Sequence, residues 1–439
     1  LEEPGVTIWI RGGKIVDPVR GMVQKRDIVV ERGRISRIPK PGAFKGKGPK
    51  LRILDASGKI IVPGLIDMHV HLREPGHEYK ETIATGGKAA VVGGFVGLAC
   101  MPNTDPVNDT SAVTEFILRQ ARKSNLVKVY PIAAITKGQK GESLTEFGDL
   151  RGAGVEGVSD DGFPVSNSEV MRRAIEYARY YDLVVISHCE DTNLSAEGVI
   201  HEGVVSTRIG LRGIPAASEE VMVQREISLA KLTGCPVHIA HISTAGSVEL
   251  IKRAKEEGVT ITAETAPHYF SLDHRAVIGY DTNAKMNPPL RTPEDVQAIK
   301  KGLAEDVLDV IATDHAPHSP LEKDLEFDRA AFGIIGLETA LPLTMALVEE
   351  GVLSLPSAIK KLSYNPAAIL GVSGGSLWEG GPADLAIIDT KQEYMLKDGD
   401  IQSKSKNSPF IGKPLKGWNL LTMIGGRIVW KRAREHLGG

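Results

Sequence analysis

The chain has 439 residues, 42% apolar and 25% charged, which is ordinary globular usage and excludes disordered, collagenous and coiled-coil architectures. Lys+Arg 53 against Asp+Glu 55 leaves a formal charge of -2, so there is no basic field to hold nucleic acid or an anionic membrane. Three scattered cysteines fit a reducing, cytoplasmic setting, no run approaches 18 apolar residues, and no signal peptide is read in residues 1–18.

In chain order, the first pattern is a β-branched run, a Gly turn, a Lys or Arg and a second β-branched run. It occurs at 8–17, 28–38 and 54–64, and again at 422–431, and it predicts hairpins. Residues 384–389 read as one more strand. Together these predict a small β-sandwich domain built from both chain ends, residues 1–60 and 372–439, with 39–50 as a Gly/Lys/Pro-rich loop within it.

Between these ends, short apolar runs alternate with helical periodicity. Strands are predicted at 59–70, 94–101, 127–135, 154–160, 183–188, 236–242, 259–264 and 307–313. Helical patterns occupy 111–124, 218–233, 244–257, 292–304, 339–350 and 356–370. Val170, Met171, Ala174, Ile175 and Ala178 form a further helical stripe, for which Ser166 and Glu169 offer a capping box. Thr292 before Pro293 marks another helix start. Eight apolar strands alternating with helices predict a (β/α)8 TIM-type barrel over residues 61–371. An open doubly wound sheet would carry a glycine-rich dinucleotide loop after its first strand, and none is present.

The polar residues fall at the carboxyl ends of these strands, which share one rim in a barrel. His69 and His71 alternate along strand 1 and therefore face the same way. Asp160 and Asp161 end strand 4, His188 ends strand 5, His241 ends strand 6, and Asp314 with His318 follows strand 8. Each alone has a bland reading: a chance H-x-H, a turn before Gly162, a helix cap. Their joint placement points instead to one or two divalent metals of the zinc type, with Asp314 as the base beside them. Arg73, Asn103, Asn287 and His318 on the same rim predict a small anionic, amide-bearing substrate. His77, His201, His238, His274 and His436 lack this placement and read as structural or surface residues.

The runs Asp67-Met68-His69-Val70-His71-Leu72-Arg73-Glu74-Pro75-Gly76, Met101-Pro102-Asn103-Thr104, Ser159-Asp160-Asp161-Gly162, His188-Cys189-Glu190-Asp191, His241-Ile242-Ser243-Thr244, Asn287-Pro288-Pro289-Leu290-Arg291 and Ala312-Thr313-Asp314-His315-Ala316-Pro317-His318 are similar to those of dihydroorotases, specifically the long-chain type of the cyclic amidohydrolase superfamily. The resemblance covers nearly the whole chain. It implies reversible cyclisation of N-carbamoyl-L-aspartate to L-dihydroorotate, the third step of pyrimidine synthesis. It implies His69 and His71 on one zinc ion, His188 and His241 on a second, and Asp314 as both ligand and general acid/base. Arg73, Asn103 and His318 would hold the substrate carboxylate, His71 and Asn287 would also contact substrate, and Phe332-Gly333 would add backbone contacts. Many superfamily members bridge the metals with a carboxylated lysine. Strand 4 carries none here, Lys137 is a poor substitute, and the long-chain type points to Asp161 as the bridge. A hydantoinase or allantoinase, and an inactive scaffold subunit, are the rival readings. Homo-oligomerisation and docking onto aspartate carbamoyltransferase both stay open. Two loops, 319–331 and 137–148, are candidates for moving over the mouth.

Overall fold

Eight short strands, each buried on both faces, close into a parallel barrel in the middle of the chain. The structure is a computed structural model and describes residues 6–46 and 50–433. His436 and part of the 39–50 loop therefore lie outside the described residues, as do residues 1–5. The barrel strands are Leu65–Val70, Phe95–Cys100, Lys128–Ala133, Gly157–Val158, Val184–Ser187, Val237–Ile239, Ile261–Thr265 and Val310–Ile311. Neighbours pair in parallel from first to eighth. A parallel bridge between Val70 and His315 closes the ring, with the His71 N–H donating to the His315 carbonyl at 2.9 Å. Inward side chains such as Met68, Ile132, Ile186 and Val310 fill the interior, so the barrel is a packed core and not a pore.

The predicted helices lie where periodicity places them, with two differences, and helices Ile83–Gly93 and Phe147–Ala153 add to them. Thr292 caps Pro293–Ala304 in a reciprocal box with Asp295. Helix Ser168–Tyr180 is capped by Asn167, whose Oδ1 accepts from the Glu169 and Val170 N–H groups, and not by Ser166. The Ser166 hydroxyl instead turns back to the Pro164 carbonyl. The 356–370 pattern is interrupted by a π turn, Lys360–Tyr364. Pro366 has no N–H to give the ladder, and the Asn365 N–H reaches back five residues to the Lys360 carbonyl.

Strands from both chain ends make two further sheets, as expected. One runs Arg34–Arg37, Ile28–Glu31, Thr7–Arg11, Leu51–Asp55. The other runs Arg427–Lys431, Pro414–Ile424, Leu385–Met395, Ile60–Pro63, Lys14–Asp17, Met22–Lys25. Their facing side chains, including Ile8, Ile10, Leu54, Ile61 and Leu385, form a separate apolar core. The 28–38 and 422–431 hairpins are present. Those at 8–17 and 54–64 are not. In each, the chain leaves one sheet at the glycine turn and enters the other, so both halves can bury apolar side chains in the shared core. The 59–70 run is likewise two strands: Ile60–Pro63 belongs to the six-stranded sheet and Leu65–Val70 to the barrel.

Candidate active site

The carboxyl ends of barrel strands 1, 4, 5, 6 and 8 deliver their polar groups to one buried centre. Asp67 locks the first of these to the last, since its Oδ1 accepts from the His69 N–H at 3.2 Å and the Thr313 N–H at 3.1 Å. Two triads share Asp161: His69, His71 and Asp161, and Asp161, His188 and His241, all buried, with the ligand atoms of each triad within 4.8 Å of one another. Asp161 Oδ1 lies 3.3 Å from His69 Nε2, 3.6 Å from His188 Nδ1 and 3.5 Å from His241 Nε2, and its Oδ2 lies 3.4 Å from His71 Nε2. Asp314 Oδ1 stands beside the first triad, 3.1 Å from His71 Nε2 and 3.7 Å from His69 Nε2. Arg73, His241 and Asp314 all have positive φ (61°, 33° and 48°), a strained backbone that side chains tolerate only where the surroundings over-determine it.

Three of the four imidazoles have their outer nitrogen secured by an acceptor. His69 Nδ1 faces Glu264 Oε1 at 2.6 Å, His71 Nδ1 faces Asn103 Oδ1 at 2.8 Å, and His188 Nε2 faces Glu190 Oε2 at 2.9 Å. A ring that donates outward presents its other nitrogen's lone pair inward, which is the tautomer a metal needs. His69 Nε2 and Asp161 Oδ1 are buried without a hydrogen-bond partner. Against the pull of burial, Asp161 and Glu190 push the His188 pKa up to about 10, and Asp161 and Glu264 raise that of His69. Burial likewise opposes charge on Asp161, yet His69 and the adjacent imidazoles of His188 and His241 hold its carboxyl well below the usual range. Outward-anchored rings, orphaned ligand atoms and an excess of negative charge that draws protons onto the imidazoles would suit divalent cations in the same place, with Asp161 common to both triads.

Asp160, its neighbour, serves the loop. It accepts from the Ile135 N–H at 2.7 Å, the Thr136 N–H at 3.1 Å and the Thr136 hydroxyl. Lys137 lies in an exposed turn with its ammonium 3.5 Å from Glu146, a surface pairing that does not involve the triads. His238, read from sequence as structural, bonds Glu264 and Thr262 beneath His69.

A cavity of about 250 Å³ opens onto the triads, and Arg73, Asn103, Asn287, His318, Phe332 and Gly333 all line it. Buried Arg73 donates from Nε to the Pro317 carbonyl at 3.3 Å, and its Nη2 lies 3.3 Å from His318 Nε2. Burial, then the charges of Arg73, Lys80 and Lys323, push the His318 pKa far down, so this imidazole is neutral. Asn103 Oδ1 is engaged by His71, and Asn287 Nδ2 donates to Glu190 Oε2 at 2.8 Å. Glu190 thereby joins His188 to Asn287. Neither Glu190 nor Glu264 was read from sequence as functional. Their only signal was a carboxylate at the end of a barrel strand, the same signal that marked Asp161. The 319–331 loop is pinned by buried Lys323, whose ammonium donates to the Ala331 and Gly333 carbonyls at 2.8 and 3.1 Å.

A closed parallel barrel with a histidine–carboxylate centre at its carboxyl rim and an arginine-lined cavity defines a barrel hydrolase of the amidohydrolase type. Residues 58–247 match the family described as Dihydro-orotase-like. A dihydroorotase of Geobacter metallireducens is 53% identical over 431 residues, covering 97% of this chain and 100% of that one. One of Pelotomaculum thermopropionicum is 54% identical over 423 residues, covering 96% and 98%. Among solved structures, the L-hydantoinase of Arthrobacter aurescens superposes with a TM-score of 0.85 at 24% identity, covering 97% of this chain and 96% of that one. The dihydropyrimidinase of Brevibacillus agri gives 0.82 at 20% identity, covering 97% and 95%. These two likenesses establish the shared fold. The chain belongs to the dihydroorotase family. No helix among the described residues is long and apolar enough to cross a membrane.

Proposed function

We propose that the chain interconverts N-carbamoyl-L-aspartate and L-dihydroorotate, using zinc held by His69, His71, Asp161, His188, His241 and Asp314. The observation that carries this reading is the position of Arg73 and His318 across one cavity from the two triads that share Asp161. A zinc-type ion in such a site polarises an amide carbonyl and lowers the pKa of water to about 7. The remaining work falls to the chain. Arg73 supplies the fixed positive charge for the substrate carboxylate, and neutral His318 and Asn103 supply hydrogen bonds to it. Asn287 contacts the ring, and Phe332 and Gly333 add contacts from the far wall. In the hydrolytic direction, water oxygen bonds to the ring amide carbon as the ring C–N bond breaks. Asp314 takes the water proton and returns it to the leaving nitrogen, and cyclisation reverses each transfer.

The test is dihydroorotate hydrolysis by the purified protein before and after chelation, with bound metal measured in the same samples and hydantoin and allantoin as competing substrates. Chelation is expected to abolish turnover and zinc to restore it, with hydantoin and allantoin turned over poorly. Equal turnover of hydantoin or allantoin overturns the substrate assignment. Full activity in metal-free protein overturns the metal.

A further inference from the structure

Residues 402–408 come from outside the barrel, between two strands of the six-stranded sheet, yet they dock at the barrel's mouth. On one side Ser403 and the Lys404 N–H bond Glu81, and Ser405 Oγ donates to the Lys80 carbonyl at 2.7 Å. On the other, Asn407, only 4% exposed, makes four hydrogen bonds to the two loops that wall the substrate cavity. Its Oδ1 accepts from the His318 N–H at 3.1 Å, and its Nδ2 donates to the Ala316 carbonyl at 3.0 Å and the Gly333 carbonyl at 3.1 Å. Its own carbonyl accepts from the Ile335 N–H at 3.0 Å.

Ala316, His318 and Gly333 line the cavity, whereas Asn407 stands behind them. Gly333 needs this exactness of placement. It has φ +120°, and a Cβ there would lie 2.6 Å from Ala316 Cβ, so the two walls approach as closely as backbone allows. One amide satisfies donors and acceptors on both walls at once and thereby sets their separation.

We infer that Asn407 is a positioning residue for substrate, fixing the distance between the His318 and Gly333 walls of the binding cavity. The inference rests on the proposed roles of His318 and Gly333. Displacing a wall by about 1 Å can cost on the order of 100-fold. Of the six proposed metal-holding residues only Asp314 shares this loop, two residues before Ala316, and Asn407 bonds none of the six, so the loss is expected to fall on substrate binding.

The experiment is steady-state hydrolysis of dihydroorotate by the full-length, metal-loaded enzyme. Asn407→Ala is expected to raise KM about 10-fold or more with kcat within about 3-fold and bound metal unchanged. Asn407→Asp keeps the shape and the acceptor for His318 but sets oxygen against the two carbonyls. It is expected to raise KM similarly, and it carries the test should the alanine variant not fold. Ser405→Ala removes a part-buried hydrogen bond of the same segment, to the Lys80 carbonyl and not to either wall, and is expected to leave KM within about 2-fold. An unchanged KM in the Asn407 variants overturns the inference, as does an equal effect from Ser405→Ala. His318→Ala separates the two levels. If it raises KM while the Asn407 variants do not, this inference alone falls. If it leaves KM unchanged while they raise it, the His318 assignment falls and Asn407 acts through the Gly333 wall.

Discussion

Glu264 Oε1 stands 2.6 Å from Nδ1 of His69, with both side chains fully buried and His238 on the carboxylate's other oxygen at 3.3 Å. Burial opposes its charge, but His69 and His238 hold the Glu264 pKa at about 2, so it is an anion at any working pH. It fixes the His69 tautomer that points Nε2 at Asp161. Glu264→Gln loses that charge and can donate where it must accept. Metal affinity is expected to fall about 10- to 100-fold, read as metal retained after dialysis against graded chelator.

Asp314 lies beside the first triad, 3.1 Å from His71 Nε2, and is the group proposed to carry the proton. Asp314→Asn keeps the shape and removes the base. Turnover of dihydroorotate is expected to fall about 1,000-fold or more, while metal analysis finds content close to that of the parent. Normal turnover by this variant would sink the assignment.

Among the described residues the buried Arg73 side chain bonds only the Pro317 carbonyl, through Nε, and His318, through Nη2, which leaves the rest of its fork for the cavity it lines. Arg73→Lys retains charge but loses the planar fork. The expected result is a KM for dihydroorotate raised about 10-fold or more, with a smaller change in kcat.

Glu338 is buried beneath the docked segment, where its Oε1 accepts from the Gln402 N–H and its Oε2 has no partner. Burial pushes its carboxyl up to about 7. The folded protein therefore holds a proton that the unfolded chain releases between its ordinary carboxylate pKa and 7, so stability declines as pH rises through that window. The effect is about 3 kcal/mol at most. Glu338→Gln is expected to remove this decline. In urea titrations it should match the parent near pH 5 and exceed it at pH 8, and an unaltered gap between the two pH values would count against it.

The parts of the site that were legible in the sequence are those written locally. His69 and His71 alternate on one strand, so their common face follows from the pleat alone. Thr292 and Pro293 announce a helix start through groups three residues apart. Glu264 and Asn103 were not legible as the groups that orient His69 and His71, because each arrives from another barrel strand. Asn407 lies 89 residues beyond His318 in the chain and reaches it only because the segment between two sheet strands folds back onto the barrel.

The β-branched, glycine-turned runs at 8–17 and 28–38 look alike in sequence, yet only the second is a hairpin. Local pattern decided that these residues are extended, which residues alternate, and that the acids and imidazoles stand at strand ends. Whether a strand pairs with its neighbour or crosses to the facing sheet depends on which apolar core it can bury against. Which nitrogen of an imidazole faces a metal depends on an acceptor supplied from elsewhere. Both are set by contacts between residues distant in the chain, and only the tertiary structure decided them.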